Sequence, residues 1–395
     1  MPQPPARSVA LLLNIAHALD HLFLLIFATA VVSIAAEFGF ARWEDLMPYG
    51  VGAFAMFGLG SLPAGRLGDL WGRRPMMLVF FFGLGASALL ASLTQNAWQL
   101  AAALTLLGSF SAIYHPVGIP MLVAGAAKPG ATIGVNGLAG NLGLAAAALV
   151  TGVLVQWSGW RAAFAVPGLL CLVLGVVFAR LVPAEQGSPA QRRARTAAVA
   201  LSKAELARVL VVMTVASATA GLLFNLTTNG NGQLLRERLA GHVSDPASLG
   251  LLLAAVYAVG SLAQVVVGRL LDRVPLKRLQ LTIVLCQAPL LAAAALAPGW
   301  WLYVALLGVM VLIFGAIPFT DAVIVRYVDD HMRSRVAGMR LTVSLGISST
   351  AVWALGPLVK AAGFQALYLG MAGIALLTAV AVSVLPAEPR QPAPA

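Results

Sequence analysis

The chain has 395 residues, 60% of them apolar and only 10% charged, with a mean hydropathy of +0.90. A soluble domain carries roughly a quarter charged residues and cannot hide this much apolar surface, so a cytosolic enzyme, a secreted domain and a disordered chain are excluded. What remains is a polytopic membrane protein, in which a net charge of +11 reads as basic cytoplasmic loops, not as a nucleic-acid surface.

A spanning helix needs about 20 mostly apolar residues. Such runs occur twelve times, at about 9–36, 46–65, 75–95, 98–124, 132–157, 161–182, 207–230, 248–268, 279–297, 300–326, 336–359 and 363–385. The first run is far longer than a leader's apolar core and lacks a small-residue cleavage site, so it reads as a retained span. Cys171 and Cys286 both lie inside apolar runs, which leaves no disulfide framework and no CxxC site. Most connections are short, so neighbouring helices are antiparallel.

The one long break runs from Pro183 to Leu201 and carries Arg192, Arg193 and Arg195. It ends at Ser202-Lys-Ala-Glu205, a capping-box pattern that starts the seventh helix. The predicted organisation is therefore a six-helix bundle over 1–182, a linker over 183–206 and a second six-helix bundle over 207–395. With the N-terminus inside, 20 of the 25 Lys and Arg residues fall on the cytoplasmic face. That asymmetry predicts an inner-membrane protein with both termini in the cytoplasm.

The two halves repeat one another. Gly65, Asp69 and Arg74 in the 2–3 connection lie 203 residues before Gly268, Asp272 and Lys277 in the 8–9 connection. Pro116 pairs with Pro318 at a similar offset, and Gly134 with Gly338. Internal repeats of this kind are expected of transporters. In the first connection Gly65 and Gly68 permit close helix approach, while Asp69 is suited to pair with an arginine or a helix N-terminus of the opposing half.

The run from Gly65 to Arg74, with Gly72, Arg73 and Arg74 at its end, resembles the signature loop of the major facilitator superfamily. The second copy is degraded, with Pro275 where the first has Gly72. The resemblance implies an all-α membrane protein whose twelve helices form two pseudo-symmetric bundles. It also implies that spans one, four, seven and ten line a central cavity.

Ionisable groups inside a membrane are costly and mark functional sites by default. Span one holds Asn14, His17, Asp20 and His21, of which the last three share one helix face. Span four holds Tyr114-His115-Pro116, with His115 at about the depth of Asp20 and a proline suited to kink the helix. Asp20, His115, His17 and His21 are thus candidates for taking and passing a proton, since histidine titrates near neutrality. A static hydrogen-bonded network is the competing reading. Asn136, Asn141, Asn225, Asn229, Asp321 and Arg340 join Asn14 and Tyr114 as candidates for the cavity wall.

His17-Ala-Leu-Asp20-His21 together with Tyr114-His115-Pro116 also resembles the fosmidomycin-resistance-like drug-efflux branch, although Val117 stands where that branch often has an acid. No nucleotide loop, GxSxG or HExxH motif is present, so neither an enzyme nor a resident cofactor is expected. His17, His21, His115 and Met121 could offer soft metal ligands, but the 11 methionines form no MxxxM cluster, so no metal is expected either. The combined expectation is a secondary transporter working as a monomer, moving a small molecule by alternating access with protons as the drive. Export is favoured. Import of a small metabolite or a metal by proton symport, and a non-transporting sensor, stand as alternatives.

Overall fold

A computed structural model describes residues 6–124, 126, 129–183, 203–271, 273–319, 322 and 330–385, with the backbone alone at 129–130, 203–206, 330–343 and 345. The residues between 183 and 203, Asp272 and Asp321 lie outside the described residues, as does the side chain of Arg340. All regular structure among the described residues is helical.

The helices follow the apolar runs. In the first half they are α1 (Arg7–Glu37), α2 (Trp43–Leu59 continued by Ser61–Trp71), α3 (Arg73–Ser92), α4 (Ala97–Val123), α5 (Pro129–Ser158) and α6 (Trp160–Leu181). The second half contains α7 (Lys203–Arg238), α8 (Pro246–Leu271), α9 (Leu276–Leu296) and α10 (Gly299–Gly315). A last helical stretch, Asp330–Ser383, breaks at Gly363 and so supplies α11 (330–362) and α12 (364–383). The span predicted over 46–65 is longer than expected and bends by 43° at Gly60.

The repeat shows in the backbone as well. Gly39 and Gly241, which follow α1 and α7, have φ of 77° and 88°. Gly159 and Gly363, which separate α5 from α6 and α11 from α12, have φ of 82° and 75°. A side chain is strained in this left-handed region, so glycine ends the equivalent helices of both halves. Asn96 and Asp245 supply two of the N-caps, accepting from the backbone N–H of Gln99 at 3.0 Å and Ser248 at 2.8 Å.

Within a membrane, helices associate through close packing, because lipid is as apolar as leucine. Small residues provide it. A Cβ on Gly143 would lie 2.1 Å from the Ala18 carbonyl, and one on Gly108 would lie 2.0 Å from that of Ala53. These contacts press α5 onto α1 and α4 onto α2.

Among the described residues, the halves touch closely on the face opposite the linker. There a Cβ on Gly356 would lie 2.1 Å from the Glu44 carbonyl, and one on Gly152 would lie 2.4 Å from that of Pro246. The Gln156 side chain accepts from Ala247 N at 3.0 Å, Gln233 donates to the Ala28 carbonyl at 3.0 Å, and Trp43 stacks on Phe364. Toward the linker face, no described atom comes within 4 Å of a Cβ placed on Gly134, Gly268 or Gly346.

Candidate functional site

A cavity of about 270 Å³ lies between the halves. Its first wall carries His17, His21, Phe57, His115 and Asn141. Phe224, Asn225, Thr228 and Asn229 from α7 face it, together with Gln264 and Ser348 from α8 and α11. Among the described residues no Lys, Arg, Asp or Glu lines it, and the three histidines are its only titratable side chains. The expected helices α1, α4, α7 and α10 all contribute. So do α5 and α11, from which Asn141 and Arg340 were candidates, and α2 and α8, which the sequence reading did not assign to the wall.

Asp20 sits just behind this wall and is fully buried. Its Oδ1 accepts a hydrogen bond from Ser111 of α4. Its Oδ2 has no hydrogen bond but lies 3.7 Å from His115 Nε2, and His115 is partly exposed to the cavity. The carboxylate therefore approaches the cavity wall at an imidazole. Ser111 was not anticipated, although its position four residues before His115 puts both on one face of α4.

α4 is shaped for this contact. Tyr114 to Gly118 form a π-helical turn around Pro116, the device expected where a helix must bend beside a cavity. Tyr114 is fully buried, stacks on His17 at 4.7 Å between centroids, and donates to the Leu13 carbonyl at 2.8 Å. Asn136 of α5 donates to the Tyr114 hydroxyl at 2.7 Å and to Asn14 at 2.9 Å.

His17 completes the network. Its Nδ1 lies 2.7 Å from the Asn136 carbonyl, which can only accept, so Nδ1 carries the proton and Nε2 is left with its lone pair. That Nε2 is 3.1 Å from His21 Nε2. Gly140 makes room for the ring, because a Cβ there would lie 2.6 Å from it. Asn14, His17, Asp20, His21, Tyr114, His115 and Asn136 are thus assembled into one cluster.

The second half offers no matching acid at this position. Asn225, roughly the repeat counterpart of Asp20, donates to Ser348 at 2.9 Å and to the Gly221 carbonyl at 2.9 Å. Asn229 bonds back to the Asn225 carbonyl at 3.0 Å. Both halves pair a buried polar group with a serine, but only the first uses a carboxyl.

The signature loop is outside the cavity. Cβ atoms on Gly65 and Gly68 would meet Pro116 at 3.3 Å and Val117 at 2.9 Å, so these glycines let α2 approach α4. Gly72 turns the chain with φ 97°. Arg73 donates to the Pro120 carbonyl at 3.1 Å, and Arg74 to those of Val182 and Ala179 at 2.6 and 2.7 Å. Among the described side chains, Asp69 makes no ion pair with the opposing half.

Comparison with known proteins agrees with this architecture. The chain is 25% identical over 336 residues to the Multidrug resistance protein MdtG of Citrobacter koseri, covering 80% of this chain and 78% of that one. It is 32% identical over 132 residues to the Probable actinorhodin transporter of Streptomyces coelicolor, covering 32% of this chain and 22% of that protein. The fold matches the crystal structure of a bacterial homolog of the human lysosomal transporter Spinster in an inward-facing and occupied conformation. The TM-score is 0.76 over 97% of both chains, at 14% identity. Residues 13–234 and 232–395 each match the profile of the Major Facilitator Superfamily. The chain, with its two repeated bundles and central cavity, belongs to that superfamily of membrane transporters.

Proposed function

We propose that this transporter exports a small, partly apolar compound from the cytoplasm, driven by protons that enter and leave through Asp20 and His115. The observation that carries this is the placement of Asp20, fully buried and 3.7 Å from the cavity-lining His115. An ionised carboxylate without a counter-charge is expensive at that position. A proton on Asp20, or one on His115 that makes the contact an ion pair, relieves the cost. Proton occupancy is thereby tied to how α1 and α4 face each other and the cavity.

The cavity supports the choice of cargo. Phenylalanine, leucine and isoleucine share its wall with amides and hydroxyls, and no fixed charge opposes a neutral or cationic compound there among the described residues. Such lining suits drug-like molecules. The similarity to multidrug and actinorhodin transporters favours efflux. The His-Asp and His-Pro pattern also fits the fosmidomycin-resistance-like branch, which the same reading accommodates. The basic linker face is taken as cytoplasmic, in an inner membrane, with the opposite face sealed in this conformation. One chain supplies both walls of the cavity, so a monomer suffices.

The test is reconstitution into proteoliposomes with an imposed pH gradient and ethidium as a fluorescent amphipathic probe. Gradient-driven dye movement is expected for the native chain. Asp20→Asn is expected to lose the gradient-driven component while still exchanging dye across the membrane. Undiminished coupling in Asp20→Asn overturns the proposal.

A further inference from the structure

The proton coupling proposed above uses one imidazole of the cluster, yet three converge on the cavity wall. We propose that His17, His21 and His115 form a binding site for a divalent transition-metal cation such as zinc, cobalt or nickel. The sequence reading noted His17, His21, His115 and Met121 as possible ligands but set a metal aside because no MxxxM cluster is present. The fold brings the three rings together. Their candidate ligand atoms all lie within 4.8 Å of one another.

The spacing suits such an ion. Zinc binds imidazole nitrogen at about 2.0–2.1 Å, which places two nitrogens of a tetrahedral site about 3.3 Å apart. His17 Nε2 and His21 Nε2 are 3.1 Å apart. His21 and His115 are only partly buried and border the cavity, so rotation of their side chains closes the remaining gap. Without a cation the Nε2 atoms share a hydrogen bond. The cation takes the place of that proton, which moves to Nδ1 of His21.

The surroundings supply what a metal site needs beyond its ligands. The Asn136 carbonyl holds the Nδ1–H of His17 at 2.7 Å, which fixes the tautomer that presents Nε2 to an ion. Asp20 Oδ2, 3.7 Å from His115 Nε2, is beyond hydrogen-bond distance but close enough to offset the ion's charge. No Lys or Arg among the described lining residues would repel a cation. Three nitrogen ligands with a fourth position open to the cavity suit borderline ions, not magnesium or calcium.

The experiment titrates full-length, tag-free protein in detergent with Co²⁺, read by visible absorption, and then displaces it with Zn²⁺. Neither a gradient nor a cargo is present, so failure here leaves the transport proposal standing. One saturable equivalent per chain is expected, unaffected by excess Mg²⁺. His21→Ala and His115→Ala are each expected to weaken binding by about 100-fold or more, a larger loss than an outer-shell change produces. His242→Ala, in the 7–8 connection, is expected to bind as the native chain does. Zn²⁺ should raise the thermal unfolding temperature of the native chain and of His242→Ala, but not of His21→Ala or His115→Ala. Cooperative melting without metal verifies that each variant is folded. Absence of saturable binding, or equal binding by folded His21→Ala and His115→Ala, overturns the site.

Discussion

Lys360 Nζ lies 2.5 Å from Asp45 Oδ1, an ion pair that joins the α11–α12 corner to the start of α2 across the two halves. Both side chains are partly exposed, so the pair adds little to stability. It marks instead where the halves touch when the face opposite the linker is shut. Replacing both residues by cysteine and joining them with a short, reducible thiol cross-linker is expected to stop transport. Reduction should restore it. Full transport in the cross-linked protein would show that this contact does not open during the cycle.

Gly356 makes the same seal with its backbone. A Cβ there would lie 2.1 Å from the Glu44 carbonyl, and a carbonyl cannot move aside as a side chain can. Gly356→Val is therefore expected to hold the halves apart. The readout is labelling of a cysteine placed at Ser348 in the cavity by an impermeant thiol reagent added on the face opposite the linker. Labelling should rise several-fold in Gly356→Val and remain low with glycine in place.

Tyr114→Phe removes a hydroxyl that both donates to the Leu13 carbonyl and accepts from Asn136. Hydrogen bonds between membrane helices are worth about 0.6 kcal/mol on average, and up to about 1.7 kcal/mol. The variant is expected to lose about 1 kcal/mol in a detergent unfolding titration while remaining able to fold. A loss of several kcal/mol would show that the whole α1–α4–α5 network depends on this one group.

Asp245 caps α8 by accepting from the backbone N–H of Ser248 at 2.8 Å, and that bond holds its carboxyl below the usual carboxylate range. A carboxyl lowered on folding contributes stability above its unfolded value, and that contribution is lost as the pH falls through the folded value. The native chain should therefore lose a small part of its thermal stability on acidification. Asn caps as well as Asp but does not titrate there, so Asp245→Asn should lack this part of the acid dependence. An identical acid profile in the two proteins would assign the slope elsewhere.

The spans were legible in the sequence because an apolar run of membrane length has few other uses. The break within α2 was not, because Gly60 lies inside an unbroken apolar run and the bend depends on what packs beside it. Asp20, the histidines and Tyr114 stood out because charge and polarity are scarce at that depth. Ser111 escaped because one serine in an apolar helix is ordinary until its partner is located. Trp43, Asp45, Gly356 and Lys360 escaped for a different reason. Each is unremarkable within its own helix, and they become a seal only when residues as far apart in the chain as 315 positions are brought together.

Arg73 and Arg74 have a mechanical consequence. Three hydrogen bonds fasten them to carbonyls at the ends of α4 and α6, within the first bundle. Asp69 lies just before the two arginines, in the last turn of α2. Engagement of Asp69 with the second half would therefore register the angle between the bundles, and mutations that loosen Arg74 would blur that register without touching the cavity.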